Sequence, residues 1–213
     1  MSDNIRIMLV DDHVVVRSGL RRMLEQKPGF SVVAEAESGE QAYQEFTDHR
    51  PDVMVMDVSM PGMGGLEALR RILTRHPTAR IVVYSMHENA AFATQALQSG
   101  ARAYVAKSGP SDELVQAVLE AARGKGYLSP SVAQRIALNT LAGEDDPFKR
   151  LSAREFEVFR LLAEGGNVET IAEMLKISQK TVANYQTLLK QKLGVSSPVD
   201  LVRLAIRHGV IES

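Results

Sequence analysis

Short apolar, β-branched runs alternate with amphipathic stretches over roughly the first 125 residues. The runs at 5–10, 31–36, 53–56, 81–84 and 103–105 predict strands. Segments 14–26, 39–48, 65–75, 90–99 and 111–123 predict helices. In the third of these, Leu66, Leu69, Ile72 and Leu73 recur at helical spacing along one face. Strands alternating with helices pair in parallel through right-handed crossovers, so the expectation is an α/β fold with a sheet covered on both faces. Gly-containing breaks such as Pro61-Gly62-Met63-Gly64-Gly65 and Ser99-Gly100 separate the elements.

The pattern changes after Arg123. Gly124-Lys125-Gly126 closes the last helix, and 130–141 predicts one more short helix. Ala142-Gly143-Glu144-Asp145-Asp146-Pro147 then reads as a polar, acidic linker. From Leu151 onward helices follow without strands, and Ser152 with Glu155 has the spacing of a capping box. The expected division is an α/β domain over 1–125, a connector with a short helix over 126–147, and an all-α domain over 148–213.

Composition narrows the class. Hydrophobic residues make up 45% and charged residues 24%, which is the balance of a soluble globular protein. No run of about 18 apolar residues predicts a membrane span. The first residues lack the basic stretch and apolar block of a secretory signal. Cys is absent, so disulfides and thiolate metal sites are excluded. The expectation is a cytoplasmic protein with no membrane partner. Residues 148–213 hold 10 Lys and Arg against 7 Asp and Glu, leaving 15 against 19 for the rest of the chain. An acidic first part and a mildly basic second part point to different partners for the two.

Functional groups of an open parallel sheet gather beyond the C-terminal strand ends. Asp11 and Asp12 follow the first expected strand, Asp57 the third, Ser85 the fourth and Lys107 the fifth. Four segments thus bring three carboxylates, a hydroxyl and an ammonium to one edge. Crowded carboxylates repel one another unless a cation sits among them, and oxygen ligands of this kind suit Mg²⁺. A carboxylate there can attack phosphorus, with the cation and a lysine neutralising the transferring group. Taken singly, each residue is as well explained by a solvated strand end or a turn. Their convergence decides for chemistry. Met54, Met56, Met60 and Met63 are read as packing, and the five His show no metal-ligand spacing.

The second part predicts a helix at 168–175, a turn at 176–178 and a longer helix at 179–193 capped by Ser178. A helix-turn-helix lays its second helix in the major groove. With Val182, Leu188, Leu189 and Leu193 turned to the core, Lys180, Thr181, Asn184, Thr187 and Lys190 face outward. Lysines suit phosphates, and Asn184 suits an adenine edge.

These residues carry a resemblance. Asp11-Asp12, the run Asp57-Val58-Ser59-Met60-Pro61-Gly62-Met63-Gly64-Gly65, Ser85, Tyr104 and Lys107 resemble the receiver domain of two-component response regulators. Leu151-Ser152, Arg154-Glu155, Ile171-Ala172-Glu173, Lys180-Thr181-Val182 and Lys192-Leu193-Gly194 look like the LuxR-type DNA-binding domain. The whole chain resembles the NarL/FixJ family, with Asn184-Tyr185 and the ending at 204–209 similar to GacA/UvrY-like members.

The resemblance implies a flavodoxin-like receiver, five parallel strands in order 2-1-3-4-5, followed by the helix-turn-helix domain. It implies Asp57 as phosphoacceptor, Asp11, Asp12 and Asp57 around Mg²⁺, Lys107 on the phosphate, and Ser85 with Tyr104 as switch pair. It further implies a sensor histidine kinase as donor, double-stranded promoter DNA as target, and a homodimer formed through about 198–208. Three positions depart from the common pattern: Ser108 where many receivers have Pro, a bulky Met86, and Tyr185 where His is frequent.

On this reading the chain regulates transcription and is not an enzyme. An Asp-nucleophile phosphatase is disfavoured because such enzymes need a second Asp two residues on, and Ser59 stands there. A regulator independent of phosphorylation is disfavoured by the complete acidic set. Whether the receiver covers the recognition helix or phosphorylation drives dimerisation stays open at this level.

Overall fold

A computed structural model describes residues 4–141 and 146–211. The acidic stretch 142–145 of the expected linker lies outside the described residues. The first part alternates β1 (Ile5–Val10), α1 (Val14–Glu25), β2 (Phe30–Ala36), α2 (Gly39–His49), β3 (Val53–Met56), α3 (Gly65–Arg75), β4 (Ile81–Ser85), α4 (Ala90–Gln98), β5 (Ala103–Ala106) and α5 (Ser111–Ala122). The strands are parallel in order 2-1-3-4-5, as expected. A sixth strand, β6 (Tyr127–Leu128), extends the edge beyond β5. Two residues between Gly126 and Ser129 carry no alternation, so the sequence pattern does not reveal it.

Strand alternation divides the side chains between two faces. Ile7, Leu9, Val53, Val55, Val82 and Val105 pack under α1 and α5. Met8, Met54, Met56, Ile81, Val83 and Tyr104 pack beneath α2, α3 and α4, with the methionines as packing residues.

After β6 come α6 (Pro130–Leu141), a 3₁₀ turn (Pro147–Arg150), α7 (Ala153–Ala163), α8 (Val168–Leu175), α9 (Gln179–Leu193) and α10 (Pro198–Arg207). Local chemistry starts these helices. The Ser152 hydroxyl accepts from the Glu155 amide, and the Glu155 carboxylate accepts from the Ser152 amide, closing the capping box. Asn167, Ser178 and Ser197 cap α8, α9 and α10. On α9, Val182 and Leu189 are buried, but Leu188 is exposed, contrary to the expected core face. It lies about a third of a turn off the Val182–Leu189 stripe, and Tyr185 packs inward instead.

The core of the helical part is continuous with the α2–α4 face of the sheet. Phe92 of α4 meets Phe156 of α7 edge to face at 5.0 Å, and Phe156 in turn meets Phe148 at 5.6 Å. Among the described residues no helix is long and apolar enough to cross a membrane.

Candidate functional site

The backbone ladder runs just past the strand ends and fixes the residues there. The Asp11 amide donates to Ala36, Asp57 to Val10 and Lys107 to Ser85, at 3.1, 2.8 and 2.7 Å. Asp11 follows Leu9 by two, Asp57 follows Val55, and Lys107 follows Val105, so all three side chains leave the sheet on the α1/α5 face. Ser85 and Tyr104 leave on the other face, under α4. The expected site is thus assembled at one edge but split across the sheet.

On the first face, Lys107 Nζ bridges two buried carboxylates, 2.6 Å from Asp11 Oδ2 and 2.7 Å from Asp57 Oδ2. Burial works against the ammonium, but its bonds to Asp11 and Asp57 outweigh this and raise its pKa. The remaining oxygens accept backbone donors: Asp11 Oδ1 from the His13 amide at 2.8 Å, and Asp57 Oδ1 from the Ser59 amide at 3.0 Å. Gly65 is required where α3 starts, because a Cβ there would sit 2.1 Å from the Asp57 carbonyl oxygen.

Asp12 completes the cluster, since one ligand atom each from Asp11, Asp12, His13 and Asp57 lies within 4.8 Å of the others. His13 Nδ1 is 3.0 Å from Asp12 Oδ1, yet that oxygen is sealed from solvent and has no hydrogen-bond partner. A buried carboxylate oxygen without a hydrogen-bond donor, beside two further carboxylates, fits a small oxygen-ligated cation. His13 was not singled out by spacing. Its position directly after Asp12 was the available signal.

On the second face, Ser85 and Tyr104 are fully buried. Ser85 Oγ accepts from the His87 amide at 3.1 Å, and Tyr104 Oη donates to the His87 carbonyl at 2.6 Å. Burial pushes the Tyr104 phenol well above its ordinary pKa, so it is a donor at neutral pH. The His87 ring stacks on Phe92 at 3.8 Å, and Phe92 is the ring that meets Phe156. Met86 beside Ser85 is exposed, and the peptide after Lys107 is trans.

The loop after Asp57 is held from the helical part. Gly62 donates its amide to Met174 at 2.8 Å. Arg154 donates to the carbonyls of Gly62 and Met63 at 3.2 and 3.1 Å, to Leu175 at 2.7 Å, and to Glu157 at 2.7 Å. Lys176, in the turn before α9, lies 3.6 Å from Glu40 of α2. Arg154 belongs to the LuxR-type pattern, but nothing in the sequence gives it or Glu157 this role, since the two have the spacing of an ordinary helix-surface pair.

On α9, Lys180, Asn184, Thr187 and Lys190 are exposed and Thr181 is half-buried. Lys180, Asn184 and Thr187 follow one another along one face. The Thr181 hydroxyl is tied to Ser178 at 2.8 Å and the Thr187 hydroxyl donates to the Ala183 carbonyl at 3.2 Å, so both are less free to reach outward than Lys180, Asn184 and Lys190.

Comparison with known proteins follows the same division. Residues 7–119 match the model of the response regulator receiver domain, and 149–205 match that of bacterial regulatory proteins of the luxR family. The response regulator GacA of Pseudomonas viridiflava is 40% identical, over 98% of this chain and 99% of its own. The response regulator UvrY of Escherichia coli K12 is 38% identical, over 97% and 95%. RcsB of Salmonella enterica serovar Typhimurium, solved bound to promoter rprA in the presence of phosphomimetic BeF₃⁻, superposes with a TM-score of 0.72. It is 31% identical, over 95% of this chain and 98% of its own. RcsB is also known as two dimers bound to two parallel DNAs. The chain belongs to the response regulators that join a receiver domain to a LuxR-type DNA-binding domain.

Proposed function

We propose that Asp57 accepts a phosphoryl group from a sensor histidine kinase and that this controls binding of α9 to double-stranded promoter DNA. The observation that carries the proposal is the Lys107 bridge between Asp11 and Asp57, set beside an Asp12 oxygen that lacks a hydrogen-bond donor. A carboxylate oxygen of Asp57 attacks phosphorus. The new O–P bond forms as the donor's bond to phosphorus breaks, its electron pair leaving with the donor. Asp11, Asp12 and Asp57 would hold Mg²⁺, which supplies charge neutralisation for the transferring group. Lys107 moves its hydrogen bonds from carboxylate to phosphoryl oxygen. Ser85 turns its hydroxyl to another phosphoryl oxygen, and Tyr104 follows on the same face. Water later hydrolyses the acyl phosphate, so the protein acts on its own side chain.

In this reading 1–125 is the receiver, 126–147 the connector and 148–213 the DNA-binding domain. Lys180 and Lys190 contact phosphates, Asn184 reads a base edge, and Thr181 and Thr187 add to either kind of contact. The exposed Val199 and Ile206 of α10 suit a homodimer on DNA, and a regulator that binds promoter DNA works in the cytoplasm.

The test is phosphoryl uptake from acetyl phosphate with and without Mg²⁺, followed by promoter-DNA binding of both forms. Mg²⁺-dependent labelling of Asp57 that changes DNA affinity is the expected result. An unlabelled Asp57 would remove the reading.

A further inference from the structure

Tyr84 stands on β4 opposite Val105 of β5, and Lys107 is two residues beyond Val105. Tyr84 therefore projects on the same face as Asp11, Asp57 and Lys107, while its neighbour Ser85 projects on the other. Its ring packs half-buried against the core beneath α5. Lys107 Nζ lies 5.7 Å from the ring centroid, within the range of a cation–π contact. The ammonium is thus approached by carboxylates from two strands and by an aromatic face from a third.

We infer that Tyr84 is a positioning residue, its ring face holding the Lys107 ammonium between Asp11 and Asp57. A lysine stem has four rotatable bonds and a strongly hydrated head, so two carboxylates alone leave it several ways of bridging them. An aromatic face on one side limits those arrangements and shields the ammonium from water. Because Lys107 must turn from carboxylate to phosphoryl oxygen in the proposed transfer, a head held in place shortens that movement. This last consequence rests on the function proposed above. The arrangement of Tyr84, Lys107 and the two carboxylates does not.

The test uses the full chain carrying Tyr84→Phe, which keeps the ring, and Tyr84→Leu, which removes it. Tyr84→Met replaces the Leu variant if thermal unfolding shows the latter to be misfolded. The first readout needs no phosphoryl donor: in ¹H–¹⁵N spectra a shielded, bridged lysine ammonium gives a resolved signal. The Lys107 signal is expected in wild type and Tyr84→Phe and lost to solvent exchange without the ring. The second is uptake from acetyl phosphate at saturating Mg²⁺, expected to fall roughly three- to thirtyfold without the ring and to stay near wild type with Phe. An unchanged Lys107 signal and uptake in the ring-less variant would overturn the inference. So would equal losses in Phe and Leu, which would assign the effect to the phenol oxygen. If wild type takes up no phosphoryl group, the proposed function fails and the ammonium signal alone judges Tyr84.

Discussion

At Lys107 a single ammonium balances two carboxylates that are each almost wholly buried. Lys107→Met leaves them facing one another, and breaking a buried pair of this kind costs about 3–5 kcal/mol. Denaturant unfolding is expected to show that loss, and added Mg²⁺ should raise the melting temperature of the variant more than that of wild type. An equal Mg²⁺ response in both would count against the carboxylates as a cation site. Asp57→Ala is expected to abolish uptake with the circular dichroism spectrum unchanged. Label still appearing on the variant would mean a different acceptor. Asp11, Asp57 and Lys107 were legible because the end of an apolar run marks each in the sequence. Tyr84 was not, since it reaches Lys107 across neighbouring strands and nothing in either run announces the pairing.

Among the elements, α9 sets the clearest division of labour. Lys180→Ala is expected to weaken binding to all duplexes alike and reduce the salt dependence by about one counterion. Asn184→Ala should relax preference at one base pair, a discrimination of about 1–3 kcal/mol, and a binding-site selection would detect it. Uniform weakening by Asn184→Ala would deny it a role in base readout. Strands and helices with several turns of periodicity were legible along the whole chain, and with them the caps Ser152 and Ser178. The limits fall where the signal is short or the geometry exacting. Two residues of β6 show no period, and Leu188 looks apolar enough for the core although the helix turns it outward.

At the scale of the whole molecule, the seam between the two domains is where sequence says least. Arg154 and Glu157 have the spacing of a solvated pair, yet both are largely buried against the loop that follows Asp57. Arg154→Ala removes the two hydrogen bonds that it makes across the seam, to the Gly62 and Met63 carbonyls, and is expected to weaken the closed arrangement by about 2 kcal/mol. Small-angle scattering should then report a more extended chain.

Burial pushes the Glu157 carboxyl up to about 7, against the lowering effects of Arg154 and Arg160 on α7 and with a further push from Glu67 on α3. Such a group binds its proton more tightly when packed. Its contribution to closure is complete below its free value of 4.5 and is lost as pH rises through about 7. The chain has no Cys, so spin labels on two introduced cysteines can follow the interdomain distance. Separation should increase between pH 5.5 and 8, and Glu157→Gln should abolish that response.

Phe92 is stacked on His87 in its own domain and meets Phe156 of the other edge to face. Receivers and output domains are often treated as interchangeable parts. In this chain, exchanging one for the other would uncover an aromatic ring on α4 and leave Phe156 with ring contacts from its own domain alone. A chimera that swaps the output domain is best cut so that both rings change together.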